Sequence, residues 1–286
     1  MSFKKILNSL NGIEKRLLDF SNSQHVLVTG DSLEIMDVMP SESVDLILTD
    51  TLYNIGMPYR SKKFKDNKKK NDYFKWSIEW LEKCARILKK NGSMYLINYP
   101  EINAPIFTFL DENQKRLGLK FRRWITWHYP TNTGHSKKNF TRSQRSILFY
   151  TKGDKYKFYR QKILQHYKNP EVSKIKKRLK SGSRGRASYD LLRFLDLIEL
   201  QKGTIDVLDI NLLKNVSKDR MKYHPCQLPI SLLEILIKVS SKRGDIVFDP
   251  FAGTFTTSYA AKKLGRNSVG IDIEPKFVKM GLKRLK

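Results

Sequence analysis

Cysteine is almost absent from this chain of 286 residues, which contains only Cys84 and Cys226. Two cysteines so far apart supply neither a disulfide framework nor the paired spacing of a zinc site. Cys84 falls in an apolar pattern of helical period and is predicted to lie in the core. Cys226 precedes a predicted helix and lacks the surrounding motifs of a nucleophilic cysteine. We therefore expect no disulfide, no bound metal and no cysteine chemistry.

Long apolar runs are also missing. No stretch approaches the roughly 18 apolar residues that a membrane-spanning helix requires. Residues 1–20 carry charges throughout and lack the apolar centre of a signal peptide. The sequence therefore predicts a cytoplasmic protein with no membrane partner.

Acidic residues are scarce, since 28 Asp and Glu stand against 55 Lys and Arg, which gives a formal net charge of +27. A lysine-rich genome would explain part of such an excess, but codon bias alone should enrich acidic residues as well. A polyanionic partner is the better explanation, and nucleic acid is the first candidate.

The positive charge is concentrated in one segment. Residues 155–186 contain twelve Lys or Arg and a single acid, Glu171. Four aromatic residues are interleaved among the basic ones: Tyr156, Phe158, Tyr159 and Tyr167. This composition predicts phosphate contacts combined with base stacking, whereas a purely solvated insertion is the alternative.

Apolar residues elsewhere alternate between extended and helical spacing. Strands are predicted at 25–29, 44–49, 94–98, 121–127, 146–150, 245–248 and 268–271. Helices are predicted at 3–20, 35–39, 76–88, 104–110, 191–200, 230–240, 256–264 and 275–285, with Asn91-Gly92 as the stop of the third. Such alternation is typical of an α/β protein with a doubly wound sheet.

Segments 44–56 and 247–257 together resemble the catalytic and cofactor motifs of DNA amino-methyltransferases that use S-adenosylmethionine. A catalytic motif placed before the cofactor motif is the permuted order of that family's beta group. The resemblance implies a Rossmann-like methyltransferase sheet with an inserted, largely helical basic module. It divides the chain into a catalytic part (1–154), a target recognition insertion (155–222) and a cofactor-binding part (223–286).

The catalytic motif implied by the resemblance is Asp50-Thr51-Leu52-Tyr53. The exocyclic amine of adenine or cytosine is a poor nucleophile because its lone pair is delocalised into the ring. A carboxylate and a carbonyl that accept both N–H bonds would localise that lone pair toward a methyl donor. By resemblance, Asp50 and the main-chain carbonyl of Thr51 are these acceptors, and Tyr53 stacks on a base flipped out of the duplex.

The predicted strand-to-helix turn after residue 248 presents small residues and free backbone amides, which suit an anionic or nucleotide-like ligand. Asp272 closes the next strand, where an acid takes the hydroxyls of a ribose in nucleotide-binding folds. The resemblance adds Asp31 near the cofactor's adenine and Gln227 in a segment that completes the pocket. The predicted cofactor residues are Asp31, Gln227, Asp249, Phe251, Ala252, Gly253, Thr254, Phe255, Thr256 and Asp272.

The chain departs from the family pattern at three positions. The family's Asp-Pro-Pro-Tyr has Thr51 and Leu52 in place of both prolines, which removes the fixed φ that proline supplies. The family's Phe-Xaa-Gly-Xaa-Gly turn ends here in Phe255. A benzyl group at that position must either point away from the cofactor or narrow its pocket.

The resemblance implies methyl transfer to an exocyclic amine of double-stranded DNA, with N6 of adenine preferred over N4 of cytosine. It also implies a restriction–modification setting with a cognate restriction endonuclease, and a homodimer as one expected assembly. Two alternatives stay open. One is a catalytically silent, DNA-binding homologue that lost activity through the three departures, and the other is an RNA methyltransferase of the same fold.

Overall fold

The computed structural model describes residues 2–56, 66–129, 138–165, 167, 169–187, 191–192 and 227–286. In these ranges no helix has the length and apolar character needed to cross a membrane. The strands are β1 (Lys15–Phe20), β2 (Ser23–Thr29), β3 (Val44–Asp50), β4 (Leu88–Asn98), β5 (Leu119–His128), β6 (Gln144–Lys152), β7 (Leu164–Gln165), β8 (Arg186–Ala187), β9 (Leu191–Leu192), β10 (Ile246–Asp249) and β11 (Asn267–Asp272).

Nine of the strands in the described ranges form one mixed sheet in the order β1-β2-β11-β10-β3-β4-β6-β5-β9. The central strands β2, β11, β10, β3 and β4 are parallel, and β6 runs antiparallel between β4 and β5. Strands β7 and β8 form a separate antiparallel pair. The carboxyl ends of the parallel strands therefore share one edge of the sheet.

Helices cover both faces of this sheet. They are α1 (Ser2–Ser9), α2 (Ser32–Val38), α3 (Lys70–Ile87), α4 (Pro100–Glu112), α5 (Gln114–Leu117), α6 (Ser173–Lys180), α7 (Ile230–Ser240), α8 (Thr256–Lys263) and α9 (Pro275–Leu285), with a 3-10 turn at Arg160–Ile163. Because side chains alternate along a strand, Leu46 and Leu48 of β3 pack with the buried side chains of α7. Ile47 packs with those of α3 and α4, and Val44 lies in the same cluster because the pairing register of β3 shifts between Val44 and Leu46. The predicted doubly wound α/β fold is confirmed.

The first predicted helix is wrong beyond Ser9. Gly12 adopts φ +81°, in the left-handed region that ends a helix. Residues 15–20 then form β1, which pairs antiparallel with β2 at the edge of the sheet. The apolar spacing at Leu17 and Leu18 fits a helical period, but Leu17 is exposed and the segment is an edge strand.

The predicted stop of the third helix is also wrong. Helix α3 ends at Ile87, and Asn91-Gly92 lies inside β4. The ammonium of Lys152 donates hydrogen bonds to the carbonyls of Ala85 and Leu88. Ala85 lies in the last turn of α3, where carbonyls lack partners within the helix. Gly92 is required by close packing, since a Cβ there would lie 3.0 Å from the carbonyl oxygen of Asp45.

The start of the predicted recognition insertion packs on the sheet. The rings of Tyr156 and Phe158 each lie 6.1 Å from the ring of Phe149 on β6. Lys157 between them forms ion pairs with Asp45 and Asp245. Both rings therefore contact the sheet, although Phe158 is 42% exposed, and the base-stacking role of these two aromatic residues stays a prediction.

The rest of the insertion is described only in part. Helix α6 is basic and has no buried side chain. Leu191 and Leu192 form strand β9 beside β5, so the helix predicted at 191–200 is wrong at its first two residues. Residues 193–226, which include Cys226, lie outside the described residues. The division of the chain at 155 and 222 stays a prediction.

Candidate active site

A cavity of about 260 Å³ opens at the carboxyl ends of the parallel strands. This edge is where ligands bind in open α/β sheets. Asp31 follows β2, and β3, β10 and β11 end at Asp50, Asp249 and Asp272. All the predicted catalytic and cofactor residues line this cavity except Phe255. The structure thus brings together two motifs that lie about 200 residues apart in the chain.

Asp50 lies at the end of β3 with its side chain 11% exposed. The hydroxyl of Tyr53 lies 2.6 Å from Oδ1 and 2.7 Å from Oδ2, so its proton is shared by the two carboxylate oxygens. Nη1 of Arg145 lies 3.7 Å from Oδ2. Burial raises the pKa of Asp50 to about 7, although Arg145 and the Tyr53 hydroxyl act to lower it.

The ring of Tyr53 is enclosed by protein. Tyr53 is 1% exposed, and its ring centroid lies 4.6 Å from that of Tyr99. The guanidinium carbon of Arg145 lies 4.7 Å from the Tyr53 ring and 5.4 Å from the Trp127 ring. In this conformation the Tyr53 hydroxyl donates to the Asp50 carboxylate, and the role of the ring as a stacking surface for a base stays a prediction.

The turn between β10 and α8 is held by two buried or partly buried carboxylates. Asp249 accepts hydrogen bonds from the amide of Phe251 (3.1 Å) and the hydroxyl of Thr257 (2.7 Å). Asp272 accepts from the amides of Gly253 (2.9 Å) and Glu274 (2.8 Å). Burial raises the pKa of Asp249 to about 6 and that of Asp272 to about 7.

An apolar wall completes the cavity. Phe251 packs against Trp76 and Trp80 of α3, with ring centroids 5.2 and 5.4 Å apart. Trp76 and Phe251 both line the cavity, as do Ala252 and Phe277. Sequence reasoning places Trp76 on a helix face but does not assign it to the site, because its neighbour Phe251 lies on a distant part of the chain.

Between β2 and α2, Asp31 caps the helix, and its Oδ1 accepts a hydrogen bond from the amide of Leu33 at 2.7 Å. The Ser32 hydroxyl donates to the carbonyl of Pro250, which ties this helix start to the β10–α8 turn. Gln227 is buried and also lines the cavity. Within the described ranges, no group of three or more His, Cys, Asp or Glu is arranged to hold a metal ion.

Comparison with known proteins gives the family. The model of the N6/N4 methyltransferase family, described as DNA methylase, matches residues 44–283. This chain belongs to that family. DNA adenine methyltransferase YhdJ of Escherichia coli (strain K12) is 35% identical over 268 residues, which cover 93% of this chain and 84% of the relative. Type II methyltransferase M.HpaI of Haemophilus parainfluenzae is 30% identical over 259 residues, 91% of this chain and 73% of the relative.

Solved structures of DNA methyltransferases share the fold of this methylase. The PvuII DNA methyltransferase (cytosine-N4-specific) superposes with a TM-score of 0.63 at 18% identity, covering 92% of this chain and 86% of that one. The M1.HpyAVI–SAM complex superposes with a TM-score of 0.57 at 23% identity, covering 91% and 98%.

Phe255 is the predicted cofactor residue that does not line the cavity. It adopts φ +57° and ψ +35°, the left-handed conformation that favours glycine. Its ring is fully buried with Leu27, Val278 and Leu285 on the far side of the turn. The prediction that Phe255 binds the cofactor is wrong, because the side chain points into the core. The substitution therefore leaves the pocket unobstructed.

Two residues of the methylase site, Arg145 and Asn98, are not predicted from the sequence. Arg145 on β6 is 5% exposed and contacts both Asp50 and Tyr53. Asn98 ends β4 beside residues 51 and 52 and is 1% exposed. The sequence does contain a signal for Arg145, because it lies close to the apolar run 147–150. An arginine in a buried strand rarely lacks a charged partner, so this position indicates a paired arginine. Its partner is known only once β6 is placed in the sheet.

Proposed function

We propose that this methylase transfers a methyl group from S-adenosylmethionine to the exocyclic amine of a base flipped out of double-stranded DNA. The observation that carries the proposal is the cavity that Asp50-Thr51-Leu52-Tyr53 shares with the β10–α8 turn. The family match and the order of the two motifs agree with it.

The residues of the cavity fit this cofactor. Among the described lining residues, five carry carboxylates and one, Lys68, carries an ammonium, although the chain has a net charge of +27. Such a site favours a cation, and S-adenosylmethionine carries its transferable methyl group on a positively charged sulfur. Asp31, Asp272 and Glu274 would hold hydroxyl and amino groups, and Trp76 and Phe251 would contact the adenine.

Asp50 and its neighbours prepare the amine. The Asp50 carboxylate accepts an N–H of the base and orients its lone pair, which works only while the carboxylate is ionised. Arg145 favours the ionised form of Asp50 against the effect of burial. Because Tyr53 occupies both carboxylate oxygens in this structure, its hydroxyl must yield one of them when the base enters.

N6 of adenine is the proposed target. The curated relative with 35% identity is named an adenine methyltransferase, whereas the cytosine-N4-specific structure is 18% identical and supports the fold alone. M.HpaI is named a type II methyltransferase, so we place this chain in a restriction–modification system with a cognate endonuclease. A homodimer in the cytoplasm completes the proposal.

A catalytically silent homologue is the less favoured alternative. Two departures from the family motifs could have removed activity, and the structure weakens both arguments. Phe255 points away from the cavity and does not obstruct it. Both prolines next to Asp50 are lost, yet Asp50 and Tyr53 remain hydrogen-bonded.

The test is a transfer assay with the purified chain, methyl-labelled S-adenosylmethionine and genomic DNA from a methylation-free host. Digestion to nucleosides identifies the product, and we expect label in N6-methyladenine. Asp50→Ala is the matched control, which should retain DNA binding and lose transfer. Label in cytosine would overturn the choice of base, and RNA labelled in preference to DNA would overturn the choice of nucleic acid. Full activity in Asp50→Ala would overturn the mechanism.

A further inference from the structure

The segment from Thr51 to Gly56 follows the catalytic carboxylate and must hold it in one orientation. Proline would stiffen such a segment by fixing φ, but this chain has Thr51 and Leu52 at the two positions after Asp50. A loop without that restraint needs contacts from neighbouring elements to keep a single geometry.

Asn98 supplies two of these contacts. It follows Ile97, which pairs with Asp50 across the neighbouring strands β3 and β4. Its Nδ2 donates to the hydroxyl oxygen of Thr51 at 2.8 Å and to the carbonyl of Leu52 at 3.2 Å. Its Oδ1 accepts from the amide of Tyr99 at 2.7 Å, so the orientation of the amide group is fixed.

Tyr73 supplies a third contact from a different element. Its hydroxyl on helix α3 donates to the carbonyl of Leu52 at 2.5 Å. Burial raises the pKa of Tyr73 to about 12, so the hydroxyl keeps its proton at any pH at which the enzyme is assayed. The Leu52 carbonyl thus receives two donors, one from a strand and one from a helix.

The second half of the segment is held by Asp66. Its carboxylate accepts from the amides of Asn54 (2.8 Å) and Ile55 (3.2 Å), and its carbonyl accepts from the amide of Gly56 (2.6 Å). Asp66 is 4% exposed. These bonds anchor the far end of the segment, which leaves residues 51 and 52 dependent on Asn98 and Tyr73.

We infer that Asn98 and Tyr73 are positioning residues for methyl transfer, and that their hydrogen bonds to Thr51 and Leu52 replace the rigidity that two prolines would provide. The inference rests on the proposed function for its catalytic consequence, since Asp50 must be orientated toward the amine. Its structural part, a loop held by these two side chains, stands independently of any activity.

The test is a double-mutant cycle. Asn98→Ala should lower single-turnover methyl transfer by about tenfold or more, and Tyr73→Phe by several-fold, with the affinity for S-adenosylmethionine unchanged. In a Thr51→Pro/Leu52→Pro background the same substitutions should each cost less than about threefold, because proline already restricts the loop.

Asn103→Ala is the matched control. Asn103 is also 1% exposed, and its Nδ2 donates to the carbonyls of Leu96 and Ser146 and to the Ser146 hydroxyl. A loss of activity in Asn103→Ala through general destabilisation should be the same with and without the prolines. Equal proline rescue of Asn103→Ala and Asn98→Ala would contradict the inference.

Hydrogen exchange separates this inference from the proposed function. The amide of Tyr53, the first after the two held residues, should exchange faster in Asn98→Ala and in Tyr73→Phe than in the parent chain, and the prolines should return it to the rate of the parent chain. The amides of Asn54, Ile55 and Gly56, which donate to Asp66, should change less. If the parent chain transfers no methyl group but shows this pattern, the proposed function fails and the loop restraint stands. Unchanged exchange together with unchanged transfer in both variants would overturn the restraint.

Discussion

Burial and two neighbouring groups act on the carboxylate of Asp50 in opposite directions. Burial favours the protonated acid, while the guanidinium of Arg145 and the hydroxyl of Tyr53 favour the carboxylate. The resulting pKa of about 7 places the titration of Asp50 at the pH of the cell. Small changes around this residue should therefore move the pH dependence of the reaction, as they do for other buried catalytic groups.

Replacement of Arg145 by Gln should raise the pKa of Asp50 further. The acidic limb of the pH profile of kcat/KM should move to higher pH, and activity at pH 7 should fall roughly tenfold for each pH unit that the limb moves, with recovery toward pH 9. Arg145→Lys keeps the charge and should restore much of the profile. Arg116→Gln is the control, since Arg116 pairs with Glu82 on the surface. An unmoved limb in Arg145→Gln would show that Arg145 serves only packing.

Sequence reasoning at the residue scale finds Asp50 and Tyr53 but misses Arg145 and Asn98. The first two stand in one short motif, so their chemistry is visible along the chain. Arg145 and Asn98 act through neighbours on other strands, because β4 lies between β3 and β6. That order of strands is a tertiary property which periodicity does not contain.

At the scale of elements, the β10–α8 turn shows how a departure from a motif is accommodated. Phe255 occupies a left-handed position with its ring against two other elements. A Cβ at Gly281 of α9 would overlap Cδ2 of Phe255, and one at Gly270 of β11 would lie 2.7 Å from Cε1. The absence of side chains at these two glycines makes room for the Phe255 ring.

Gly281→Ala should therefore destabilise the protein. Alanine in a helix is favoured over glycine by about 1 kcal/mol, so stabilisation is expected if nothing opposes it. Overlap with the Phe255 ring should reverse the sign and cost about 1–3 kcal/mol. Urea unfolding measures the difference. In a Phe255→Gly background the same substitution should become stabilising, and destabilisation of equal size there would rule out this packing relation.

The elements themselves are predictable to different degrees. Helices α7 and α9 are predicted with the bounds that the structure shows, because each has a clear apolar stripe and begins beside a proline. The prediction fails in the N-terminal segment because edge strand β1 has one face in solvent. The direction of the Phe255 side chain does not follow from the sequence, since it depends on glycines from two other elements.

On the scale of the whole molecule, a strongly basic protein encloses a cavity in which five of the six charged lining residues among the described ranges are acidic. The excess of basic residues suits a polyanion such as DNA, and the acidic residues of the cavity suit a cation such as S-adenosylmethionine. The two proposed substrates are therefore attracted to different parts of the protein. Burial raises the pKa of Asp50, Asp249 and Asp272 toward neutrality. A bound cation should lower these values again and release protons.

Affinity for S-adenosylmethionine should consequently increase with pH. At pH 6 Asp50 and Asp272 are largely neutral and Asp249 is about half ionised, so the site attracts a sulfonium weakly, whereas above pH 8 all three acids are ionised. We expect the Kd to fall by about tenfold between pH 6 and pH 8, with proton release seen by calorimetry in buffers of different ionisation heat. S-adenosylhomocysteine, which lacks the sulfonium charge, is the control and should depend less on pH. Equal pH dependence of the two ligands would contradict the electrostatic account.

DNA methylation by this chain is the central claim, and modification-sensitive long-read sequencing tests it most directly. The chain and its Asp50→Ala variant are expressed separately in a methylation-free host, and the host DNA is sequenced. The account predicts modified adenine within one recurring sequence motif for the parent chain and none for the variant. An unmodified genome, obtained with a folded parent chain, would contradict it.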